Sequence, residues 1–215
     1  FPPVAVIPES EMRAIVRKIS RIDDAFSPII KASPLCSIGL KKYNKSHFET
    51  LVNSILSQQL ATKAADTIIK RVNELANGAP KPETLIKLSP EQLRGVGVSG
   101  AKARSIHELA TAILDKKINF HKFPKLENEE ISAELTQIWG IGRWTSEMFL
   151  MFHLGRLNVW PVGDLAMRRG WEKLHSLRKE IEPKKLDLIG SKFDGFQSVV
   201  AWYCWRATEG ESSTW

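Results

Sequence analysis

Two stretches of this chain hold residue types at a spacing that can do chemistry. One is a glycine pair between apolar patterns, Ile138-Trp139-Gly140-Ile141-Gly142-Arg143-Trp144-Thr145. The other is an aspartate twenty residues past Trp144, in Gly163-Asp164-Leu165-Ala166-Met167-Arg168. Asp164 stands where a helix starts, and its plain reading is a helix cap, for which aspartate is among the best residues. A helix N-terminus also favours negative charge. A fixed carboxylate in a dry cleft stabilises a positive charge that develops during a reaction, or orients and deprotonates an attacking water. One side chain can fill both roles.

The elements that must position these residues read as helices. Ile131, Leu135 and Ile138 fall at i, i+4 and i+7 before the glycines. Trp144, Met148, Met151 and Phe152 are expected on one side of the helix after them. Between the two helices, glycines relieve crowding and allow φ > 0. The pattern is a helix–hairpin–helix, in which main-chain N–H groups at the second helix start face an anion such as a phosphate.

Composition agrees with a polyanionic partner. Lys and Arg number 31 against 24 Asp and Glu, a net charge of +7 with a pI near 9.4. Seven tryptophans supply flat rings that fill cores or stack on bases. DNA is the obvious source of the phosphate. Cys36 and Cys204 are the two cysteines, without zinc or iron–sulfur spacing, and read as reduced thiols of an intracellular protein. No apolar run approaches the ~20 residues that span a bilayer. Phe1-Pro2-Pro3-Val4-Ala5-Val6-Ile7-Pro8 is too proline-rich for a signal helix and is expected to be an extended arm. The chain opens without methionine, so residues are expected upstream.

Along the rest of the chain, helix follows helix. Ser10 is expected to cap a helix through Ile15, Ile19 and Ile22. A basic loop, Lys41-Lys42-Tyr43-Asn44-Lys45, leads into the stripe Phe48, Leu51, Val52, Ile55 and Leu56. Ala65, Ile68, Ile69, Val72 and Ala76 form another, stopped by Asn77-Gly78. Ser89-Pro90-Glu91-Gln92 spells a capping box. Further stripes are Ile106, Leu109, Ala110, Ile113, Leu114 and Phe196, Val199, Val200, Tyr203. With no sustained strand alternation, the fold class is all-α. Leu93-Arg94-Gly95-Val96-Gly97 echoes the paired glycines of Leu135 to Gly142, either as a duplication or as two similar turns.

With these elements in order, the chain resembles the helix–hairpin–helix DNA glycosylase superfamily, and within it the alkylpurine (3-methyladenine) glycosylases. The resemblance runs from about Phe48 to Trp205. It rests on Ile55-Leu56-Ser57-Gln58-Gln59-Leu60, Val96-Gly97-Val98-Ser99 with Lys102-Ala103, the hairpin, Val159-Trp160-Pro161-Val162-Gly163-Asp164, and Ser198 through Arg206. It implies a six-helix domain over residues 48–154 and a second helical domain from residues 1–47 plus 155–215, with double-stranded DNA in the cleft between them and no iron–sulfur cluster.

The resemblance also implies roles. Asp164 is the catalytic carboxylate, and Trp144, Met148 and Trp205 line the pocket for a flipped base. Met148 stands where some relatives carry an aromatic ring. Gln59, with Leu60 as runner-up, is the wedge that fills the vacated base stack. Gly140, Gly142 and Thr145 hold a phosphate through main-chain N–H groups, and Arg143 and Lys102 are expected to add phosphate contacts. The carbonyls of Thr136, Ile138 and Ile141 are the implied ligands of a monovalent structural cation, although Trp139 replaces a proline common in that turn. No cofactor is otherwise required. Trp144 occupies the position of the Schiff-base lysine in glycosylases that also cut the strand, so a monofunctional enzyme is expected. The protein is expected to be a monomer working at DNA, in a bacterial cytoplasm or a eukaryotic nucleus. Two alternatives stay open: a non-catalytic homologue that binds abasic or distorted DNA, and a glycosylase for another damaged base.

Overall fold

Apolar stripes become helices throughout the computed structural model, which describes residues 6–208, and no strand occurs among them. Most of the proline-rich arm, residues 1–5, lies outside the described residues. In chain order the helices are α1 (Glu9–Ile22), α2 (Ser27–Ala32), α3 (His47–Ser57), α4 (Thr62–Leu75), α5 (Pro82–Leu85), α6 (Pro90–Gly95), α7 (Gly100–Leu114), α8 (Asn128–Thr136), α9 (Arg143–Met148), α10 (Leu165–Leu174), α11 (Pro183–Gly190) and α12 (Gln197–Thr208). A π-helical turn, Phe149–His153, continues directly from α9. The chain divides into two units. One is Tyr43–Phe149, and the other combines residues 6–42 with 150–208.

Local signals hold in detail. Ser89 Oγ accepts the Gln92 N–H while the Gln92 side chain accepts the Ser89 N–H, closing the capping box at 3.2 and 2.8 Å. Asn77 and Gly78 end α4 with positive φ, and the Gly78 N–H bonds the Asn73 carbonyl at 2.8 Å. Ser10, in contrast, is no cap. The cap of α1 is Pro8, whose extended backbone leads into Glu9, and the buried face is Met12, Val16 and Ile19.

The first unit packs Phe48, Leu51, Val52, Ile55 and Leu56 of α3 against a core that includes Ile106 and Leu109 of α7. The glycine echo lies here, with its register two residues later than the simple spelling suggests. Gly97 and Gly140 both have positive φ, Val98 and Ile141 are both buried, and Ser99 and Gly142 both cap the next helix. The caps differ in chemistry. Ser99 Oγ accepts the Lys102 N–H, whereas no side chain caps α9.

In the second unit α10 and α12 pack very closely. A Cβ on Gly170 of α10 would lie 1.8 Å from the Cys204 carbonyl oxygen, so no larger residue fits. Beside them, His175 bridges the Trp171 carbonyl and the Asp23 carboxylate, each at 2.9 Å, and Lys192 completes the cluster. Burial alone would raise the Asp23 carboxyl. Hydrogen bonds from Lys192 and His175 outweigh it and hold the group below the usual carboxylate range.

His47 links the stability of the first unit to pH. Its buried ring packs among Phe120, Phe123 and Phe149. Burial first, and then the nearby His121, push it down to about 4 from 6.5. The folded protein therefore keeps His47 neutral while the unfolded chain takes up a proton. Its contribution is complete above about pH 6.5 and is lost as pH falls toward 4. The Asp23 contribution is lost only as pH falls below the ordinary carboxylate value of 3.8. Thermal unfolding followed against pH should show the melting temperature falling through the first window, and His47→Gln should flatten that slope.

Candidate nucleic-acid and active site

The hairpin is built by a tight turn after α8. The Ile138 N–H bonds the Leu135 carbonyl, and the Ile141 N–H bonds the Ile138 carbonyl at 3.0 Å. Gly140 is required twice over. Its φ is +86°, and a Cβ would come within 2.1 Å of Ser105 Oγ. Gly142 corrects the expectation that both glycines supply positive φ. Its backbone is extended at φ −91°, which any residue adopts, and a Cβ there would meet nothing. What Gly142 contributes is open space before the first N–H groups of α9.

Around this turn, Ser132 and Ser146 share a buried 2.6 Å hydrogen bond that ties α8 to α9. Thr145 is buried. Trp144 is 41% exposed, and Met148 is half-buried. Met151 is fully buried, and the expected single stripe from Trp144 to Phe152 is not one face. The wider π turn adds a residue per turn and so rotates the side chains beyond Met148 away from the α-helical register.

The two side chains expected at phosphates, Arg143 and Lys102, both have partners within the protein. The Arg143 guanidinium donates to Glu147 at 2.9 Å and to Glu129 of α8 at 3.0 Å, and it is held above its ordinary value mainly by Glu147. The Lys102 ammonium points inward, donating to the carbonyls of Leu56 at 2.7 Å and Gln58 at 2.8 Å, and burial lowers its pKa. Arg143 thus pairs with two carboxylates, and Lys102 satisfies carbonyls at the end of α3.

The loop after α3 is a projecting corner. Gln59 has φ +56°, unusual for a residue with a side chain, and it is exposed together with Leu60. Gln58 turns the other way, and its Nε2 donates to the Gly140 carbonyl at 3.0 Å. Nothing in the sequence pointed to that bond between residues 82 positions apart.

In the second unit the structure joins Asp164 to Trp205. Asp164 is the cap of α10, and its Oδ1 accepts the Met167 N–H at 2.7 Å. The same oxygen accepts the Trp205 indole N–H from α12 at 2.9 Å. The Phe152 ring lies 5.7 Å from that of Trp205 at a tilt of 35°. Upstream, the Arg168 guanidinium donates to the Val162 carbonyl, and the Asp164 N–H bonds Pro161. The Trp160 indole donates to the Leu186 carbonyl over Gly190, whose Cβ would strike the ring. The carboxylate therefore caps its own helix and is tied to a second one. Among the described residues no cluster of His, Cys, Asp or Glu can hold a metal ion, and no helix is long and apolar enough to cross a membrane.

The chain as a whole has counterparts among known proteins. The model of the HhH-GPD superfamily of base excision DNA repair proteins matches residues 52–193. The chain belongs to this superfamily. DNA-3-methyladenine glycosylase 1 of Schizosaccharomyces pombe is 34% identical over 195 residues, covering 89% of this chain and 85% of the relative. The crystal structure of a DNA-3-methyladenine glycosidase from Bacillus halodurans superposes with a TM-score of 0.82 at 34% identity, over 92% of this chain and 91% of that one. A 3-methyladenine DNA glycosylase of S. pombe in complex with abasic DNA gives 0.80 at 31% identity, over 94% and 99%. Within this superfamily member, the sequence marked Asp164 and Trp205 separately, and their hydrogen bond carried no sequence signal.

The bond has a measurable consequence. Trp205→Phe keeps an aromatic ring and removes the donor to Asp164. Loss of a donor that orients the carboxylate should slow excision of a damaged base by roughly ten- to a hundredfold. Single-turnover kinetics on a lesion duplex would measure it, with abasic-DNA affinity as the control expected to hold steady.

Proposed function

We propose that this protein is a monofunctional DNA glycosylase of base excision repair. It hydrolyses the N-glycosidic bond of alkylated purines, of the 3-methyladenine and 7-methylguanine type, in double-stranded DNA and leaves an abasic site. The carrying observation is the Asp164 carboxylate locked by Met167 and Trp205 in a chain that shares about a third of its residues with 3-methyladenine glycosylases.

The chemistry follows from charge. As the bond between C1′ and the purine nitrogen breaks, its electrons leave with the base and the sugar becomes oxocarbenium-like. Asp164 stabilises that cation, and water adds to C1′ with loss of a proton to the carboxylate or to solvent. Alkylation at N3 or N7 already makes the base cationic and weakens the bond, so no strong general acid is needed. Trp144, Met148 and Trp205 are assigned to the extruded base. A cationic purine over a desolvated indole face gains on the order of 2 kcal/mol, which favours damaged over neutral bases. Tryptophan at 144 cannot form a Schiff base, so no strand cleavage accompanies excision.

Extruding a base costs a few kcal/mol. Gln59, with Leu60 beside it, is assigned to the vacated stack, and the strained exposed backbone at Gln59 supports this role. The N–H groups at the start of α9, near Gly140, Gly142 and Thr145, are assigned to a phosphate, and the lack of a side-chain cap there supports it. Thr136, Ile138 and Ile141 offer carbonyls to a monovalent cation. The Ile138 oxygen already accepts one N–H and has a second lone pair for such an ion, whose role would be structural. The protein acts as a monomer inside the cell, at DNA.

Asp164→Asn tests the reading. Excision of 7-methylguanine or 3-methyladenine from a defined duplex should fall by about 10²–10³-fold or more, while binding to an abasic analogue changes little. Persistent excision would remove Asp164 from the mechanism. Wild-type protein that binds abasic DNA but releases no base from any of a panel of lesions would establish the non-catalytic alternative.

A further inference from the structure

One face of α7 touches both parts of the DNA-handling apparatus assigned to the first unit. Lys102, Ser105 and Glu108 recur at three-residue spacing, which aligns them along the helix. Lys102 Nζ holds the carbonyls of Leu56 and Gln58, on either side of Ser57 at the end of α3 and immediately before Gln59. Ser105 Oγ lies under Gly140, where even a methyl group would not fit. Glu108 accepts the Trp139 N–H at 3.1 Å, and Arg104, paired with Glu108, lies 4.4 Å over the Trp139 ring. Gln58 closes the circuit by donating to the Gly140 carbonyl.

We propose that Lys102 and Gln58 are positioning residues that couple the intercalating loop to the phosphate-gripping hairpin, so that Gln59 and Leu60 enter the base stack at a fixed offset from the held phosphate. The proposal rests on the roles assigned above to that loop and that hairpin. Its physical basis is the open end of α3. Carbonyls at a helix C-terminus lack intrahelical partners and attract a cation. Lys102 meets two of them, one before and one after Ser57, and thereby fixes the peptide units that lead into the left-handed Gln59. A residue with a side chain holds that conformation only when its surroundings over-determine it. Without the ammonium, Gln59 is free to relax and the link through Gln58 loses its anchor. Lys102 thus acts through Gln59 and makes no contact with DNA.

A double-mutant cycle tests this in the full chain. Lys102→Met, Lys102→Arg, Gln58→Ala, Gln59→Ala, Leu60→Ala and the pair Lys102→Met with Gln59→Ala are compared, with melting temperatures confirming that each is folded. Three readouts apply: single-turnover excision of 7-methylguanine, 2-aminopurine fluorescence beside the lesion as a signal of flipping, and the salt dependence of binding to an abasic duplex. Lys102→Met is expected to slow flipping and excision about tenfold. Lys102→Arg should recover part of the loss, and Gln58→Ala should show a smaller loss of the same kind. Gln59→Ala should cost much less in the Lys102→Met background than alone, because both changes disable one device. The slope of log Kd against log salt should stay that of the wild type.

A slope reduced by about one would make Lys102 a phosphate contact and overturn the proposal. So would losses that multiply independently, or a Lys102→Met protein that flips and excises normally. If Gln59→Ala and Leu60→Ala both leave excision untouched, the wedge assignment itself has failed and the coupling falls with it. That outcome is distinct from an effective wedge that does not need Lys102.

Discussion

The approach of α10 to α12 is the constraint on which the second unit depends. At Gly170 the backbone of one helix meets the Cys204 carbonyl of the other with no room for a side chain. That proximity brings the indole of Trp205 within 2.9 Å of the carboxylate of Asp164, across 41 residues of sequence. One carboxylate oxygen then receives an N–H from its own helix and another from the facing helix. Each donor alone would leave the group a degree of freedom. Together they restrict its direction, and direction is what the catalytic role proposed for Asp164 requires.

The first unit is organised around glycine for a different reason. At Gly140 the left-handed backbone and the contact with Ser105 act together, whereas Gly142 is valuable for what it leaves uncovered. The turn before α7 separates these effects. Both turns have a positive-φ glycine and a buried aliphatic residue, yet Ser99 satisfies an N–H of α7 with its own hydroxyl. At α9 no side chain does this. Two turns of similar shape thus differ in capping: a serine hydroxyl takes one N–H at the start of α7, and no side chain takes one at the start of α9.

Charge is arranged more sparingly than the net +7 suggests. Arg143 faces Glu147 and Glu129, Lys102 faces two carbonyls, and Arg104 faces Glu108 and the ring of Trp139. These cations brace the hairpin and the loop.

Much of the architecture was legible along the chain because helices announce themselves locally. The stripe from Phe48 to Leu56, the capping box at Ser89 and the stop at Asn77-Gly78 each involve residues within a turn or two of one another. Asp164 at the head of a helix, and the all-helical class, were readable for the same reason. Tertiary structure decided the rest. The start of α1, set by the extended backbone at Pro8, and the π turn that breaks the stripe after Trp144 depend on packing that spacing does not encode. The inward turn of Lys102, the bond from Gln58 to Gly140 and the bond from Trp205 to Asp164 join residues tens of positions apart. Periodicity records which face of a helix avoids water, and it holds no information about which polar atom on another helix will be within hydrogen-bonding distance once those faces are buried.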